Sequence, residues 1–245
     1  MIVARRSLRL ALHLLQGVTT AALIYPFCSR LNRRRLVKRW SALLLKHLGV
    51  KLTVRGDFCR ENTLLVANHI SWLDVYLINA FEPVRFVSKA DVRKWPVIGW
   101  LASKTGTLFI EREKRSDAVK ANHDIARVIA EGDVVAFFPE GTTTRGDTLR
   151  PFFASLFQPA LAARTQIQPV AIRYLKDGES HDPAPSYADL DTFMDSLKRI
   201  VCAPLVRAEL VFTPPIDSDG LDRRQLARLA ESAIAEALKL EVAGA

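Results

Sequence analysis

"TLLVANHISWLDVYLI", Thr63 to Ile78, is the stretch from which the fold is read. It opens on an apolar run too short for a buried helix and bounded by polar residues, the pattern of a strand covered on both faces. It closes on "DVYLI", which spaces apolar residues as a helix does. Between them lies "NHISWLD", Asn68 to Asp74, with a histidine and an aspartate five positions apart. On one continuous helix those side chains would stand about 140° apart, out of reach of each other. Ser71 followed by Asp74 reads instead as a capping box, with the helix starting at Trp72 and His69 in the loop before it. Asp74 then reaches back toward the imidazole, fixing its tautomer and stabilising the imidazolium. The plainer reading makes Asp74 only a cap and His69 a satisfied loop histidine.

The same alternation runs through the chain from Lys51 onward. Strands are expected at "KLTVRG", "NTLLVAN", "VRFVSK", "GTLFIE", "DVVAFFPE", "IQPVAIRY" and "VRAELVFT". Helices are expected at residues 72–80, 91–104, 116–131, 154–164, 187–202 and 221–241. This order predicts an α/β fold with a mainly parallel central sheet flanked by helices. Ligands of such sheets sit beyond the carboxyl ends of the strands. Three polar motifs fall there: "NHISWLD", "GTLFIER" ending at Arg112, and "FFPEGTTTRG". Arg112 is placed to grip an anion bidentately, or else pairs with Glu111 or Glu113 at the surface. Gly141 permits a tight turn, and the N–H groups of Gly141 and Thr142 are read as an anion-binding nest. Glu140 would accept a bond from a substrate hydroxyl or hold Arg112 in place. No G-x-S-x-G motif accompanies His69, so a substrate hydroxyl is its natural target.

The 245 residues suit one sizeable domain with an appendage, divided as residues 1–48 and residues 49–245. Net charge is +9, which favours a polyanionic partner. Nucleic acid is disfavoured, because the basic cluster is interleaved with long apolar side chains and no zinc spacing or stacking motif appears. The three cysteines, Cys28, Cys59 and Cys202, form neither a metal-ligand spacing nor a disulfide framework, which fits a reducing compartment. No metal or cofactor is expected. The apolar run "LALHLLQGVTTAALIYPFC", Leu10 to Cys28, is about long enough to cross a bilayer and has arginines on both sides. A hairpin or tilted helix that enters one leaflet and returns reconciles these features. "RRLVKRWSALLLKHLG", Arg34 to Gly49, follows as a basic amphipathic helix suited to an anionic membrane surface.

Taken in order, "NHISWLD", "GTLFIER", "FPEGTTTRG" and "IQPVAIRY" with Pro169 resemble the four motif blocks of the glycerolipid acyltransferase superfamily, specifically the bacterial 1-acyl-sn-glycerol-3-phosphate acyltransferases. The resemblance implies acyl transfer from acyl-CoA or acyl carrier protein to the sn-2 hydroxyl of 1-acyl-glycerol-3-phosphate, giving phosphatidic acid. It implies His69 as general base and Asp74 as its partner. Arg112, Glu140, Gly141 and Thr142 would shape the acceptor site, and Pro169 would shape the site without doing chemistry. It also implies membrane lipids as partners and a place on the cytoplasmic face of the inner membrane, monotopic or with a single N-terminal membrane segment. Thr143 and Thr144 stand where many members place an arginine, and Arg145 comes later. That leaves open another acceptor such as a lyso-ornithine lipid. An inactive lipid-binding protein of the same fold is the alternative of another class. A soluble hydrolase is disfavoured by the missing nucleophile and the apolar N-terminus.

Overall fold

The computed structural model describes residues 2–110, 115–176, 180–188 and 191–243, without the side chains of residues 115–121. Seven strands form one sheet: β1 (Val50–Arg55), β2 (Thr63–Ala67), β3 (Arg85–Lys89), β4 (Leu108–Ile110), β5 (Val135–Phe137), β6 (Gln166–Leu175) and β7 (Val206–Phe212). Their spatial order is β1-β7-β6-β2-β5-β3-β4. Every pairing is parallel except β6 with β7. All seven expected strands are present, and the sheet is mainly parallel with helices on both faces.

The eight helices are α1 (Ile2–Leu23), α2 (Arg30–Leu48), α3 (Asp74–Phe81), α4 (Ile98–Lys104), α5 (Arg115–Ala130), α6 (Gln158–Ala163), α7 (Phe193–Cys202) and α8 (Arg223–Leu238) among the described residues. Two expected helices divide and a third starts late; residues 154–164 become a 3-10 turn at Ala154–Phe157 followed directly by α6. Residues 91–104 divide into a 3-10 turn at Ala90–Lys94 and α4, because Pro96 and the positive φ of Val97 interrupt the ladder. The helix expected from residue 187 starts only at Phe193, where Thr192 and Asp195 form a capping box.

From β2 the chain crosses to β3 on one side; from β5 it crosses to β6 on the other. Crossovers in opposite senses put their helices on opposite faces, so the loops after β2 and β5 part at the carboxyl ends and leave a crevice. Alternation along β2 serves both faces. Leu65 and Ala67 join a core with α2, α3 and α7, whereas Leu64 and Val66 join one with α5, α6 and α8.

The N-terminal residues form a helical hairpin rather than a span. No helix among the described residues is long and apolar enough to cross a membrane. The apolar run divides because α1 ends at Leu23, Tyr25–Phe27 makes a 3-10 turn, and Ser29 caps α2. Gly17 lets the helices close up: a Cβ there would lie 2.5 Å from Trp40 Nε1. At the far end Arg6 is buried and donates to the carbonyls of Val201, Ala203 and Pro204. Gly49, in the left-handed region, both ends α2 and leaves room for that guanidinium. The stripe expected on α2 is only partly apolar contact: Leu44 is buried, but Leu43 is exposed and Leu45 and Leu48 are the deeper core residues.

Candidate functional site

The crevice is built from the loops after β2 and β5. Asn68 continues the sheet past the end of β2: its amide donates to the Ile172 carbonyl (2.9 Å) and accepts from the Ile172 N–H (2.7 Å). That fixes where His69 leaves the sheet. A tight turn follows, with the Asp74 N–H on the Ser71 carbonyl (3.1 Å), and α3 starts at Asp74, two residues later than expected. Half of the expected capping box forms. The Asp74 carboxylate takes the Ser71 N–H (2.9 Å), but Ser71 Oγ accepts from Leu73, because the Asp74 N–H is already used in the turn.

The turn brings Asp74 back to the histidine. Oδ2 lies 2.8 Å from His69 Nδ1 and also accepts the Ile70 N–H at 2.8 Å. Oδ1 accepts the Tyr174 hydroxyl at 2.7 Å. Asp74 is 0% exposed, and these four donors (Ile70, Ser71, His69 and Tyr174) compensate its burial. Burial, reinforced by the Asp74 charge, holds the Tyr174 hydroxyl well above its ordinary pKa, so it stays a donor. With Nδ1 engaged, Nε2 is the nitrogen left to meet a ligand. The ring stacks on Phe138 at 3.9 Å and 9°, so one imidazole face is closed to water.

Glu140 is turned onto the backbone. It is 2% exposed, and its two oxygens accept the backbone N–H groups of His69 (2.6 Å) and Arg150 (3.0 Å). Burial pushes its carboxyl up to about 7, against the pull of the Arg150 and His69 N–H groups. Its expected role as a substrate contact gives way to one as a clamp. The loop beyond it clamps the other side: the Thr144 N–H and Oγ1 both donate to the His69 carbonyl, at 2.8 and 3.3 Å. Gly141 has φ of +73°, and its N–H is turned onto the Phe138 carbonyl at 3.3 Å. The expected nest therefore lacks one of its two donors. Thr142 is exposed at the crevice rim. Pro169 is buried in β6 opposite Val66, where its carbonyl accepts from Thr213.

The segment after β6 walls the other side. The Tyr187 N–H donates to the Ile70 carbonyl at 2.9 Å, and Thr143 Oγ1 donates to the Tyr187 carbonyl. Arg199 pins this wall through Ala184, Ser186 and both oxygens of Asp191. Arg112 lies outside the described residues. The strand before it, β4, is at the sheet edge, three positions from β2, so about 14 Å of sheet separates the two strand ends.

The site thus unites "NHISWLD" and "FFPEGTTTRG", as expected from strand ends. Tyr174, Phe138, Asn68 and Thr144 were not foreseen. For Tyr174 the one available signal is that a tyrosine in a fully buried strand must find a partner for its hydroxyl. Chemically, the arrangement offers an imidazole held through Nδ1 on a buried carboxylate, with Nε2 directed to the crevice. The bonds His69 makes among the described residues run to Asp74, Glu140 and Thr144, not to a serine or cysteine nucleophile.

Comparison with known proteins agrees with this geometry. A family model described as acyltransferase matches residues 51–173. A lyso-ornithine lipid O-acyltransferase from Pseudomonas aeruginosa is 42% identical over 206 residues, covering 84% of this chain and 79% of that protein. A 1-acyl-sn-glycerol-3-phosphate acyltransferase from Neisseria meningitidis is 33% identical over 187 residues, covering 76% of this chain and 73% of that protein. The crystal structure of the 1-acyl-sn-glycerophosphate acyltransferase from Thermotoga maritima superposes with a TM-score of 0.65 at 19% identity, covering 96% of both chains; it shares the fold.

Proposed function

The chain belongs to the acyltransferase family, and from that premise we propose that it transfers an acyl group from a thioester, on coenzyme A or acyl carrier protein, to the hydroxyl of a lysolipid. The observation that carries the reading is the His69 Nδ1 to Asp74 Oδ2 contact of 2.8 Å, with Nε2 left to meet a substrate. Nε2 takes the proton of the acceptor hydroxyl while the oxygen attacks the thioester carbonyl. The tetrahedral oxyanion collapses, the carbon–sulfur bond breaks, and the departing thiolate recovers the proton from the imidazolium. Asp74 offsets the charge on that imidazolium. No acyl-enzyme forms. An inactive lipid-binding protein would have no use for a buried carboxylate held by four donors against an imidazole.

Lyso-ornithine lipid is the acceptor this reading favours. The relative from Pseudomonas aeruginosa supports it at 42% identity. So does the third motif block, where Thr143 and Thr144 are committed to the Tyr187 and His69 carbonyls and no cation directly follows Thr142. Lysophosphatidate is the second reading, supported by the Neisseria relative. Arg112 is assigned to the anionic group of the acceptor, with Gly141 and Thr142 lining the same end. The protein acts as a monotopic enzyme on the cytoplasmic face of the membrane. Leu8, Leu12, Leu15 and Leu23 recur at helical spacing on the exposed face of α1, and Phe27 at the hairpin tip is 89% exposed in the turn whose Tyr25 and Pro26 carbonyls accept from Arg33. The test is an assay of purified protein with both lysolipids and both donors, read by mass spectrometry of the product. Acylation of lyso-ornithine lipid is expected. Thioester hydrolysis without transfer, or binding without turnover, would overturn the proposal.

A further inference from the structure

Between β3 and β4 the chain reads "KADVRKWPVIGWLASK", Lys89 to Lys104. It holds two of the chain's four tryptophans, and both stand out in water: Trp95 is 40% exposed, Trp100 38%, and Val97 between them 43%. A soluble surface gains nothing from two indoles and a valine side by side, whereas the headgroup level of a bilayer is where indole rings are most favoured.

The backbone that presents them is strained. Val97 has φ of +62° and ψ of −55°, and the Ile98 N–H closes onto the Pro96 carbonyl at 2.6 Å. This is a γ-turn of the positive-φ kind, rare for any residue and most unfavourable for a β-branched one. Such strain persists only where the surroundings over-determine it. They do here. A Cβ on Gly99 would lie 2.4 Å from the Arg93 carbonyl oxygen and 2.5 Å from that of Val92, so the turn is packed hard against the 3-10 helix behind it. The Gly99 N–H also donates to the Trp95 carbonyl at 3.0 Å.

Charge and position point to the same occupant. The segment carries Lys89, Arg93, Lys94 and Lys104 against Asp91 alone, a balance of 4 − 1 = +3. Asp91 is taken by Lys94 at 3.5 Å, and Lys104 lies over the Trp100 ring at 5.6 Å. Cations flanking exposed aromatics in the sequence, with Lys104 over one indole, complement an anionic lipid surface. The segment leaves the carboxyl end of β3, the immediate neighbour of β5, so it stands at the same end of the sheet as His69 and Glu140. α4 also packs on α1, whose outer face carries Leu8, Leu12 and Leu15.

We propose that the Trp95–Trp100 turn is a second membrane anchor, distinct from the N-terminal hairpin, that sets its indoles at the headgroup level of a bilayer containing anionic phospholipid and holds the rim of the active site against the lipid surface. Its benefit to catalysis rests on the lysolipid acyltransferase reading; the anchoring itself does not. The test uses the full chain and vesicles of phosphatidylcholine and phosphatidylglycerol. Brominated acyl chains should quench the tryptophan emission, and most of that quenching should vanish in Trp95→Phe/Trp100→Phe, which leaves Trp40 and Trp72 as reporters. In Trp95→Ser/Trp100→Ser, vesicle partitioning should fall about tenfold and salt should weaken what remains. Turnover of long-chain lysolipid in vesicles should fall with it, while turnover of a short-chain, water-soluble acceptor is retained. Absent quenching, or unchanged partitioning of the serine variant, would overturn the anchor. An equal loss on both acceptors would also overturn it, by placing the indoles on the donor's acyl chain. A preparation that transfers no acyl group at all refutes the activity and leaves the quenching result to decide the anchor.

Discussion

A single carboxylate organises the site at the residue scale. Asp74 divides its oxygens between His69, two backbone N–H groups and Tyr174, so each neighbour tests a different property. His69→Ala should abolish transfer without unfolding, because Asp74 keeps its three other donors, Ile70, Ser71 and Tyr174. Asp74→Asn removes the charge that stabilises the imidazolium and should cut kcat by about 10²–10⁴-fold. Single-turnover rates check both, and near-full turnover without His69 would sink the mechanism. Glu140 makes a prediction in pH. Its folded-state pKa of about 7 lies above the ordinary 4.5, so the folded protein binds the extra proton between those values. Stability from this group is full below pH 4.5 and is lost as pH rises through 7. Glu140→Gln does not titrate, so its stability relative to wild type should improve across that window, measured by urea unfolding at several pH values. Activity should run the other way in wild type, since the ionised carboxylate accepts from His69 and Arg150 more strongly than the neutral acid does. His69 and Asp74 were legible because a five-residue spacing after a strand is a local signal. The donors facing Glu140 were not, because they are set by the pairing of β2 with β5 rather than by neighbours in sequence. Tyr174 lies 100 residues from its partner, and no spacing rule reaches that far.

Among the elements, strands were easier to read than helix starts. Each strand is a short apolar run between turn residues, whereas the start of α7 depends on which threonine finds an aspartate three residues on. The break at Val97 was half legible: Pro96 stands inside the expected helix and removes a ladder donor, whereas the positive φ of Val97 comes with the close packing of Gly99 on the Val92 and Arg93 carbonyls. The hairpin of α1 and α2 gives a prediction at this scale. Gly17→Leu would drive a side chain into Trp40, which is itself stacked on His13 at 4.5 Å. α1 should lift from α2, seen as faster hydrogen exchange and proteolysis within α1, while the sheet keeps its protection. Protection of α1 equal to wild type would mean that α1 is held in place by Arg6 on the Val201, Ala203 and Pro204 carbonyls rather than by its seam with α2.

The molecule as a whole corrects one simple expectation about its parts. A separable membrane segment of residues 1–48 should come off and leave the body folded. But Leu44, Leu45 and Leu48 lie in the same core as the strands, with Leu48 fully buried. Each such leucine is worth about 2–5 kcal/mol, and a whole domain is stable by about 5–15 kcal/mol. Deletion of residues 1–48 should therefore leave a chain without cooperative unfolding, measured by calorimetry. The sheet order that makes this so was beyond the sequence, which indicates that strands are parallel but not that β7 runs back beside β6. The anchoring of Arg6 has a further consequence in time. Its carbonyl partners lie 195 to 198 residues later in the chain. At the pace of a ribosome, roughly 5–20 residues per second, some 10–40 seconds pass between the emergence of α1 and that of the residues that lock it. Throughout that interval the leucine face and the hairpin tip are free while the body that will hold them is still being made. On the lysolipid acyltransferase reading, the nascent chain can therefore reach the bilayer first and complete its sheet there, with a late-made segment fastening the first.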